Sequence, residues 1–211
     1  MVVATTAAAN PPPVPPAVRA QLTAATVLVL PSQCAGAVVD SPWLVVTAKH
    51  CIHPGDDLRV RVAGVEHDAV LVDDDAVADQ VVLALDAPAP VEPLGLARRL
   101  PIVGTVLYFR GNPDRPRWQA ARIEKYGPCP SLPSLTRAVF TSIDGRPGDS
   151  GSPLVDLLGR VVGIVHGGAK CRIATPGDHL AVLVDRVLER EHAATPTSPL
   201  IGTDRSASPA S

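Results

Sequence analysis

Short segments rich in β-branched residues, separated by Gly, Pro, Asp and Asn, run through most of the chain and constrain its fold more than any other feature. They lie at residues 25–30, 36–40, 43–48, 58–65, 68–73, 80–85, 104–109, 138–143, 152–156 and 159–165. Segments of this length and composition predict strands, and many strands at close spacing predict a β-sandwich or a β-barrel. Residues 58–65 alternate apolar and polar side chains, which is typical of a strand with one face in the core.

One amphipathic helix is predicted at residues 179–192. Its apolar side chains recur at helical spacing, at Leu180, Leu183, Val184, Val187 and Leu188. Residues 86–101 contain several prolines and few strand signals, and they divide the strand segments into two sets. We therefore interpret residues 86–101 as the connector between two β-barrels.

Both ends of the chain are predicted to be unstructured. Five prolines between Pro11 and Pro16 favour an extended segment over helix or sheet. The chain beyond about His192 is rich in Ser, Thr, Ala and Pro and has no apolar period. The expected organisation is a disordered segment at 1–20, an N-terminal barrel at 21–97, a C-terminal barrel with the helix at 98–192, and a disordered tail at 193–211.

Charge and hydropathy exclude several classes of protein. The 19 Lys and Arg residues against 21 Asp and Glu residues give a net charge of −2, which lacks the basic excess that nucleic-acid binding needs. No uninterrupted run of about 18 apolar residues predicts a membrane-spanning helix. A hydrophobic fraction of 46% is too high for a wholly disordered chain. No Lys or Arg precedes Arg19, so the N-terminus does not resemble a signal peptide.

The 4 cysteines favour two disulfides in an oxidising compartment, with three pairings open. The spacing between Cys34 and Cys51 fits neither a zinc ribbon nor a redox Cys-x-x-Cys motif. Four buried free thiols in a reducing compartment are the alternative interpretation.

The sharpest local motif is the turn at residues 146–153, where Ser150 stands between Gly148 and Gly151. Glycines on both sides of a serine let the backbone approach a ligand closely. A serine hydroxyl becomes a useful nucleophile only when an adjacent base takes its proton. His50 fits that base because it ends the apolar segment 43–48, and Asp79, which opens the segment 80–85, fits the carboxylate that orients it.

Metal and cofactor sites are not expected. His50 and His53 form one compact pair, but no second ligand pair accompanies it, so zinc is not predicted. The acidic run 73–75 is interpreted as a solvated loop rather than a calcium site.

Three motifs resemble those around the catalytic triad of trypsin/chymotrypsin-like serine proteases. They are residues 47–51 (TAKHC), 79–85 (DQVVLAL) and 148–153 (GDSGSP), and the resemblance extends from about Gln21 to His192. It implies an all-β fold of two six-stranded antiparallel Greek-key barrels packed together with a C-terminal helix. The order His, Asp, Ser separates the chain from the α/β-hydrolases, whose motif would need Gly where Ser152 stands.

The resemblance also implies a role for each motif residue. Ser150 would attack the scissile carbonyl, His50 would act as general base and then acid, and Asp79 would orient His50. The N–H groups of Gly148 and Ser150 would form the oxyanion hole.

Cys34 and Cys51 match the disulfide that this family places beside the catalytic histidine. The remaining pair would be Cys129 and Cys171.

Substrate specificity is inferred from positions around the serine. The resemblance places Asp144 at the base of the specificity pocket, His166, Gly167 and Gly168 in its wall, and Gly177 at its back. In the trypsin branch of this family, an aspartate base with glycine at both wall positions admits long cationic side chains, so the resemblance implies cleavage after Arg or Lys through a charge-assisted hydrogen bond.

Departures from the trypsin pattern keep an alternative open. Arg146 stands where the trypsin branch has cysteine, and His166 and Gly167 stand where serine and tryptophan are usual. A glutamate-specific endopeptidase is therefore the alternative within the enzyme class.

Asp149 would pair with an internal arginine, for which Arg110 and Arg122 are the candidates.

The sequence thus predicts a cofactor-independent serine endopeptidase that cleaves after Arg or Lys through an acyl-enzyme, secreted or extracytoplasmic. A catalytically silent pseudoprotease used as a binding module is the alternative from another class. The expected partners are a protein or peptide substrate and a protein inhibitor, and the expected state is a monomer.

Overall fold

The computed structural model describes residues 12–167 and 172–194, and strands in this part of the chain close into two barrels. The first barrel has the order β1-β2-β3-β6-β5-β4. Its strands are β1 (Thr26–Leu30), β2 (Cys34–Val38), β3 (Leu44–Ala48), β4 (Arg59–Val62), β5 (Val65–Asp75) and β6 (Gln80–Leu85). Every pairing in it is antiparallel.

The second barrel has the order β10-β11-β12-β9-β8-β7 and is also antiparallel throughout. Its strands are β7 (Val106–Phe109), β8 (Gln119–Gly127), β9 (Ala138–Thr141), β10 (Pro153–Val155), β11 (Val161–Val165) and β12 (Ile173–Pro176). Helix α1 (Pro16–Ala25) precedes the first barrel and helix α2 (Gly177–Ala194) follows the second. The two six-stranded barrels and the C-terminal helix that the resemblance implied are confirmed.

Three apolar clusters hold the two barrels and their interface together. Valines from β1, β3, β4 and β6 fill the first barrel, and larger side chains such as Phe109 and Ile123 fill the second. The third cluster lies between the barrels and joins them to both helices through Leu22, Leu44 and Leu180, each fully buried. Because β3 faces the first core on one side and this interface on the other, all five of its residues are buried.

The predicted strand segments all overlap strands of the structure, with one difference and two omissions. Residues 58–65 form two elements, because Ala63 and Gly64 have φ of 49° and 86° and turn the chain between β4 and β5. The sequence analysis did not predict β8, which is rich in charged side chains, or β12, which is short and ends at Pro176.

The predicted extended conformation of residues 16–20 is wrong, since α1 begins at Pro16. All the prolines of this region precede the helix or occupy its first turn, where a missing N–H breaks no helical hydrogen bond. Val18, Leu22 and Ala25 bury one face of α1. The disorder predicted for residues 1–11 and 195–211 concerns residues outside those that the structure describes.

The connector between β6 and β7 contacts both barrels. Leu94 forms a β-bridge with Val39 of the first, and Leu96 forms one with Val161 of the second. This agrees with the interpretation of residues 86–101 as the link between them. Across the described residues, no helix is both long enough and apolar enough to cross a membrane.

Candidate active site

His50 lies in a 3-10 turn (Lys49–Cys51) directly after β3. The disulfide between Cys34 and Cys51, implied by the resemblance, joins the start of β2 to the end of this turn. The hydrogen bond from the N–H of Lys49 to the carbonyl oxygen of Asp79, 3.0 Å long, ties the turn to the residue before β6. The His50 ring is 43% exposed and stands at the edge of a cleft between the barrels.

Asp79 occupies a backbone conformation that few residues other than glycine adopt, with φ of 55°. Its side chain is 9% exposed, and its two oxygens face the His50 turn. The N–H of His50 donates to Oδ1 at 2.9 Å, and His50 Nδ1 lies 2.7 Å from Oδ2. Two contacts to one residue fix both the carboxylate and the imidazole, as the sequence motifs implied.

A second imidazole shares the same carboxylate oxygen. His166 Nδ1 lies 2.5 Å from Asp79 Oδ2, and the His166 side chain is only 12% exposed. The rings of His50 and His166 stand nearly perpendicular, with centroids 5.3 Å apart. The sequence analysis placed His166 in the wall of the specificity pocket and missed this contact, although it noted that serine is usual at this position.

These contacts lower the pKa of Asp79. Burial by itself would raise it, but the hydrogen bonds from His166 and His50, the positive character of His50 and its backbone N–H outweigh that effect and hold the pKa at about 2. Asp79 is therefore ionised at any pH at which an ordinary enzyme works, and it accepts hydrogen bonds only.

Gln80, the residue after Asp79, connects the two barrels and was not singled out from the sequence. Its buried Nε2 donates to Thr175 Oγ1 and to the carbonyl oxygen of Pro176, both at 2.9 Å. These bonds run from β6 in the first barrel to β12 in the second and fix the position of the aspartate relative to the serine side. The sequence signal that could have identified Gln80 is a single polar residue at the start of an otherwise apolar strand.

Ser150 lies in the tight turn between β9 and β10, in the second barrel. The N–H of Ala35 donates to the carbonyl oxygens of Gly148 and Ser150, at 3.1 and 2.9 Å, so the turn is held against the first barrel. At Gly151, with φ of 80°, an added Cβ would lie 2.1 Å from the Ala35 carbonyl oxygen and 2.2 Å from Thr47 Oγ1. Only glycine permits this approach.

The Ser150 hydroxyl donates to the carbonyl oxygen of His166, at 3.4 Å, and not to the His50 ring. Ser150, His50 and His166 nevertheless line one cavity of about 560 Å³. Within the described residues, the N–H groups of Gly148 and Ser150 donate to no other group. That these two N–H groups form an oxyanion hole stays a prediction.

Asp149 anchors the serine turn, but not through the predicted arginines. Its partners are Arg117, whose Nη2 lies 2.5 Å from Oδ2, and the N–H groups of Asn112 and Arg146, at 2.9 and 2.7 Å. The carboxylate is 3% exposed.

The prediction that Arg110 or Arg122 pairs with Asp149 is therefore wrong. Arg122 donates to the carbonyl oxygen of Gly104, and buried Arg110 Nε lacks a partner among the described groups. Burial lowers the pKa of Arg110. Arg110 directly follows β7 and Arg122 lies within β8, whereas Arg117 lies in the loop before β8.

The predicted pocket residues do not all lie where the resemblance placed them. A side pocket of about 70 Å³ opens beside the cleft and is lined by Thr141, Ile143, Gly145, Leu154, Val165, Gly167, Arg172 and Ile173. Asp144 is absent from both linings, and its side chain is 65% exposed, 4.0 Å from Arg117. The structure therefore does not place Asp144 at the base of this pocket.

Gly177 has a packing role at the start of α2. A Cβ there would meet the carbonyl oxygens of Val161 and Val162 at 2.8 and 2.7 Å, so glycine lets the helix begin against β11. The other two predicted positions, Gly168 and Cys171, lie outside the described residues. Cys129 is disulfide-bonded, and its pairing with Cys171 stays a prediction.

One set of side chains at the site could hold a metal ion. Ligand atoms of His50, Asp79 and His166 lie within 4.8 Å of one another. A second described group contains His50 with Cys34 and Cys51, but those cysteines are joined to each other.

Known proteins are similar to this chain in both sequence and architecture. The Trypsin-like peptidase domain profile matches residues 34–164. Two serine proteases of Mycobacterium tuberculosis, MT3772 (strain CDC 1551 / Oshkosh) and Rv3671c (strain ATCC 25618 / H37Rv), are 33% identical over 144 residues. That match covers 62% of this chain and 35% of each relative, so the chain spans about a third of their length.

Solved structures share the fold of this chain. The inactive form of the Rv3671c protease matches with a TM-score of 0.69 at 25% identity, over 86% of this chain and 99% of that one. Deg5 matches in fold with a TM-score of 0.68 at 21% identity, over 82% and 92% of the two chains. Since the family profile spans more than half of the sequence, this chain belongs to the trypsin-like peptidase family.

Proposed function

We propose that this protein is a serine endopeptidase in which Ser150, His50 and Asp79 form the catalytic triad. The observation that carries the proposal is the 2.7 Å contact between His50 Nδ1 and buried Asp79 Oδ2, at the edge of the cleft that holds Ser150. A carboxylate on Nδ1 leaves Nε2 of His50 as the proton acceptor, which is the tautomer a general base needs.

The first half of the reaction forms an acyl-enzyme. Ser150 Oγ gives its proton to His50 Nε2 and attacks the scissile carbonyl carbon, and the carbonyl oxygen takes the negative charge. The N–H groups of Gly148 and Ser150 stabilise that oxyanion. His50 then returns the proton to the leaving amine, the carbon–nitrogen bond breaks, and the acyl group stays on Ser150.

The second half repeats these steps with water in place of Ser150. His50 takes a proton from water, the hydroxide attacks the ester carbonyl, and Ser150 leaves with the proton that His50 gives back. Asp79 stays ionised throughout, in agreement with its low pKa.

The observed hydrogen bond of Ser150 differs from the one that catalysis needs. Ser150 Oγ must turn from the carbonyl oxygen of His166 toward His50 Nε2. The bond it gives up, at 3.4 Å, lies near the long limit for a hydroxyl donor and is weak. Substrate that fills the cleft would favour the rotated hydroxyl.

For the side chain before the scissile bond, the pocket lining favours a carboxylate over the cation predicted from the sequence. Arg172 lines the side pocket and Arg146 lines the cleft, while Asp144 lines neither. Two guanidinium groups would repel Arg or Lys and attract Glu. We therefore favour the glutamate-specific alternative over cleavage after Arg or Lys.

Hydrolysis of chromogenic peptides that end in Glu, Gln, Arg, Lys or Phe tests both parts of the proposal. We expect Ser150→Ala to abolish turnover of every peptide, and Glu to exceed Gln in kcat/KM. Arg172→Gln should reduce the Glu/Gln ratio, while Arg160→Gln, remote from the cleft, is the matched control. Faster cleavage after Arg or Lys would overturn the specificity and leave the triad intact.

The Cys34–Cys51 disulfide supports an oxidising, extracytoplasmic location for the enzyme. No turnover of any peptide by the parent protein would instead support the pseudoprotease alternative, whereas unchanged turnover by Ser150→Ala would show that Ser150 is not the nucleophile.

A further inference from the structure

We propose that His50, Asp79 and His166 form a binding site for a zinc ion that switches the peptidase off. The metal site is independent of the proposed function, whereas its inhibitory effect rests on that function. The starting observation is that two imidazole Nδ1 atoms converge on one carboxylate oxygen, at 2.7 and 2.5 Å. Serine proteolysis requires one imidazole at this carboxylate, so the second is left without a role in the proposed reaction.

The donor set suits zinc. Two imidazole nitrogens and one carboxylate oxygen are the ligands of many zinc sites that keep a fourth position open for water or substrate. The ligand atoms of the three residues already lie within 4.8 Å of one another. In a tetrahedral site with bonds of about 2.0 Å, neighbouring ligand atoms stand about 3.3 Å apart, so each nitrogen must retreat from Oδ2 by well under 1 Å.

The surroundings allow that adjustment and give the ion access. Asp79 is held from its other oxygen by the N–H of His50, at 2.9 Å, which leaves Oδ2 for the ion. The His50 ring is 43% exposed and can shift, whereas His166 is nearly buried. Both rings line the cavity of about 560 Å³, which provides the entry path.

Metal binding would remove the general base without blocking the peptide groove. Each neutral imidazole would bind the ion through Nδ1, and the single proton that Nδ1 carried would pass through solvent to Nε2. An Nε2 that bears a proton cannot accept the proton of Ser150, so the nucleophile is not activated. The ion also separates Asp79 from the His50 ring that it orients.

The first test measures metal binding directly, on the full chain with Ser150→Ala, so that neither self-cleavage nor lack of activity affects the result. Isothermal titration with Zn²⁺ should show one ion per chain. Co²⁺ should give the visible absorption bands of a four- or five-coordinate site, and Zn²⁺ should displace them. Absence of a saturable site for Zn²⁺ would overturn the proposal.

Ligand variants in the same background identify the site. His166→Ser and, separately, His50→Gln should weaken Zn²⁺ binding by more than about tenfold, since even outer-shell changes cost that much. His53→Asn is the matched control, because His53 lies three residues from His50 outside the cluster, and it should bind Zn²⁺ as the parent does. Thermal unfolding in EDTA confirms that each variant is folded. Parent-like affinity in both ligand variants would contradict the assignment.

The inhibitory effect is measured on the protein with Ser150 intact. Turnover should fall as Zn²⁺ rises, with an inhibition constant equal to the dissociation constant found by calorimetry, and EDTA should restore it. Binding at the cluster with unchanged turnover would overturn the inhibitory role but not the site. Absence of turnover even in EDTA would count against the proposed function alone.

Discussion

Two buried aspartates belong to the candidate active site, and they are held by different kinds of partner. Asp79, from the first barrel, accepts hydrogen bonds from two imidazoles and one backbone N–H. Asp149, from the second barrel, accepts them from the guanidinium of Arg117 and two backbone N–H groups. The exposed fractions of their side chains are similarly small, 9% and 3%. The two aspartates are therefore alike in burial, and they differ in the chemistry of their hydrogen-bond partners.

A guanidinium keeps its charge at every pH at which the protein is folded, whereas an imidazole can gain and lose a proton. Asp149 is thus suited to fixing the turn around Ser150. Asp79 is suited to supporting a base whose charge changes during each catalytic cycle. The difference predicts that loss of Asp79 harms catalysis, and that loss of Asp149 harms stability.

The largest expected effect is on turnover. Asp79→Asn should lower kcat by roughly 10⁴-fold, because an amide in this position favours the wrong tautomer of His50. Steady-state kinetics on a cleavable peptide measure this, and circular dichroism verifies that the variant is folded. A loss smaller than tenfold would show that Asp79 does not orient the base.

The next largest effect is on the free energy of unfolding and concerns Asp149 rather than Asp79. Arg117→Met should lower the free energy of unfolding by about 3 kcal/mol, because it leaves a buried carboxylate without its cation. In a double-mutant cycle with Asp149→Asn, urea unfolding should give a coupling of about 2 kcal/mol.

The arginines first predicted to pair with Asp149 supply the matched controls. Arg110→Met and Arg122→Met should each show little coupling to Asp149→Asn in the same cycle. Coupling at either position as strong as at Arg117 would contradict the observed pairing.

The pH dependence of the free energy of unfolding tests how the ionised form of Asp79 contributes to stability. Its pKa is about 2 in the folded protein against 3.8 for the ordinary group, so its ionised form stabilises the fold above pH 3.8 and loses that effect as the pH falls through about 2. The shift corresponds to roughly 2 kcal/mol.

Urea unfolding in EDTA at several pH values between 5 and 2 measures this contribution. The stability advantage of the parent protein over Asp79→Asn should shrink on acidification within that window. An advantage that is constant, or that grows toward pH 2, would show that the imidazoles do not hold the carboxylate in its ionised form.

The smallest effect concerns the link between the two barrels. Gln80→Leu should lower the free energy of unfolding by about 1 kcal/mol, because Thr175 Oγ1 and the Pro176 carbonyl lose a buried donor. It should also raise KM or lower kcat modestly, since the spacing between the aspartate and the serine is relaxed. Crystal structures of the variant and the parent would locate the shift. An unchanged stability would show that the link is replaceable by apolar contact.

Much of the fold follows from the sequence because strand period and turn residues are local signals. The valine-rich strands of the first barrel were found, since their side chains are buried and apolar. Strand β8 was missed because its exposed charged residues hide the alternation, and α1 was missed because the prolines that precede it or open its first turn were taken to exclude a helix. The closure of the strands into barrels came from the resemblance and not from local pattern.

In the site, too, the residues marked by local motifs could be predicted, and the contacts between distant segments could not. His50, Asp79 and Ser150 could be predicted as a triad because each lies in a motif with its own neighbours. The contact of His166 with Asp79 and that of Arg117 with Asp149 depend on how distant segments meet, which spacing along the chain does not encode. Asp144 shows the converse, since this position inferred by resemblance is exposed, while Arg146 lines the cleft and Arg172 lines the side pocket.

Mass spectrometry of the protein after reaction with a fluorophosphonate tests the central claim most directly. The account predicts one covalent adduct, located on Ser150 by peptide mapping, with labelling lost in Ser150→Ala and slowed by orders of magnitude in His50→Gln and Asp79→Asn. Labelling of another residue, or equal rates in the parent and the His50 variant, would contradict the triad.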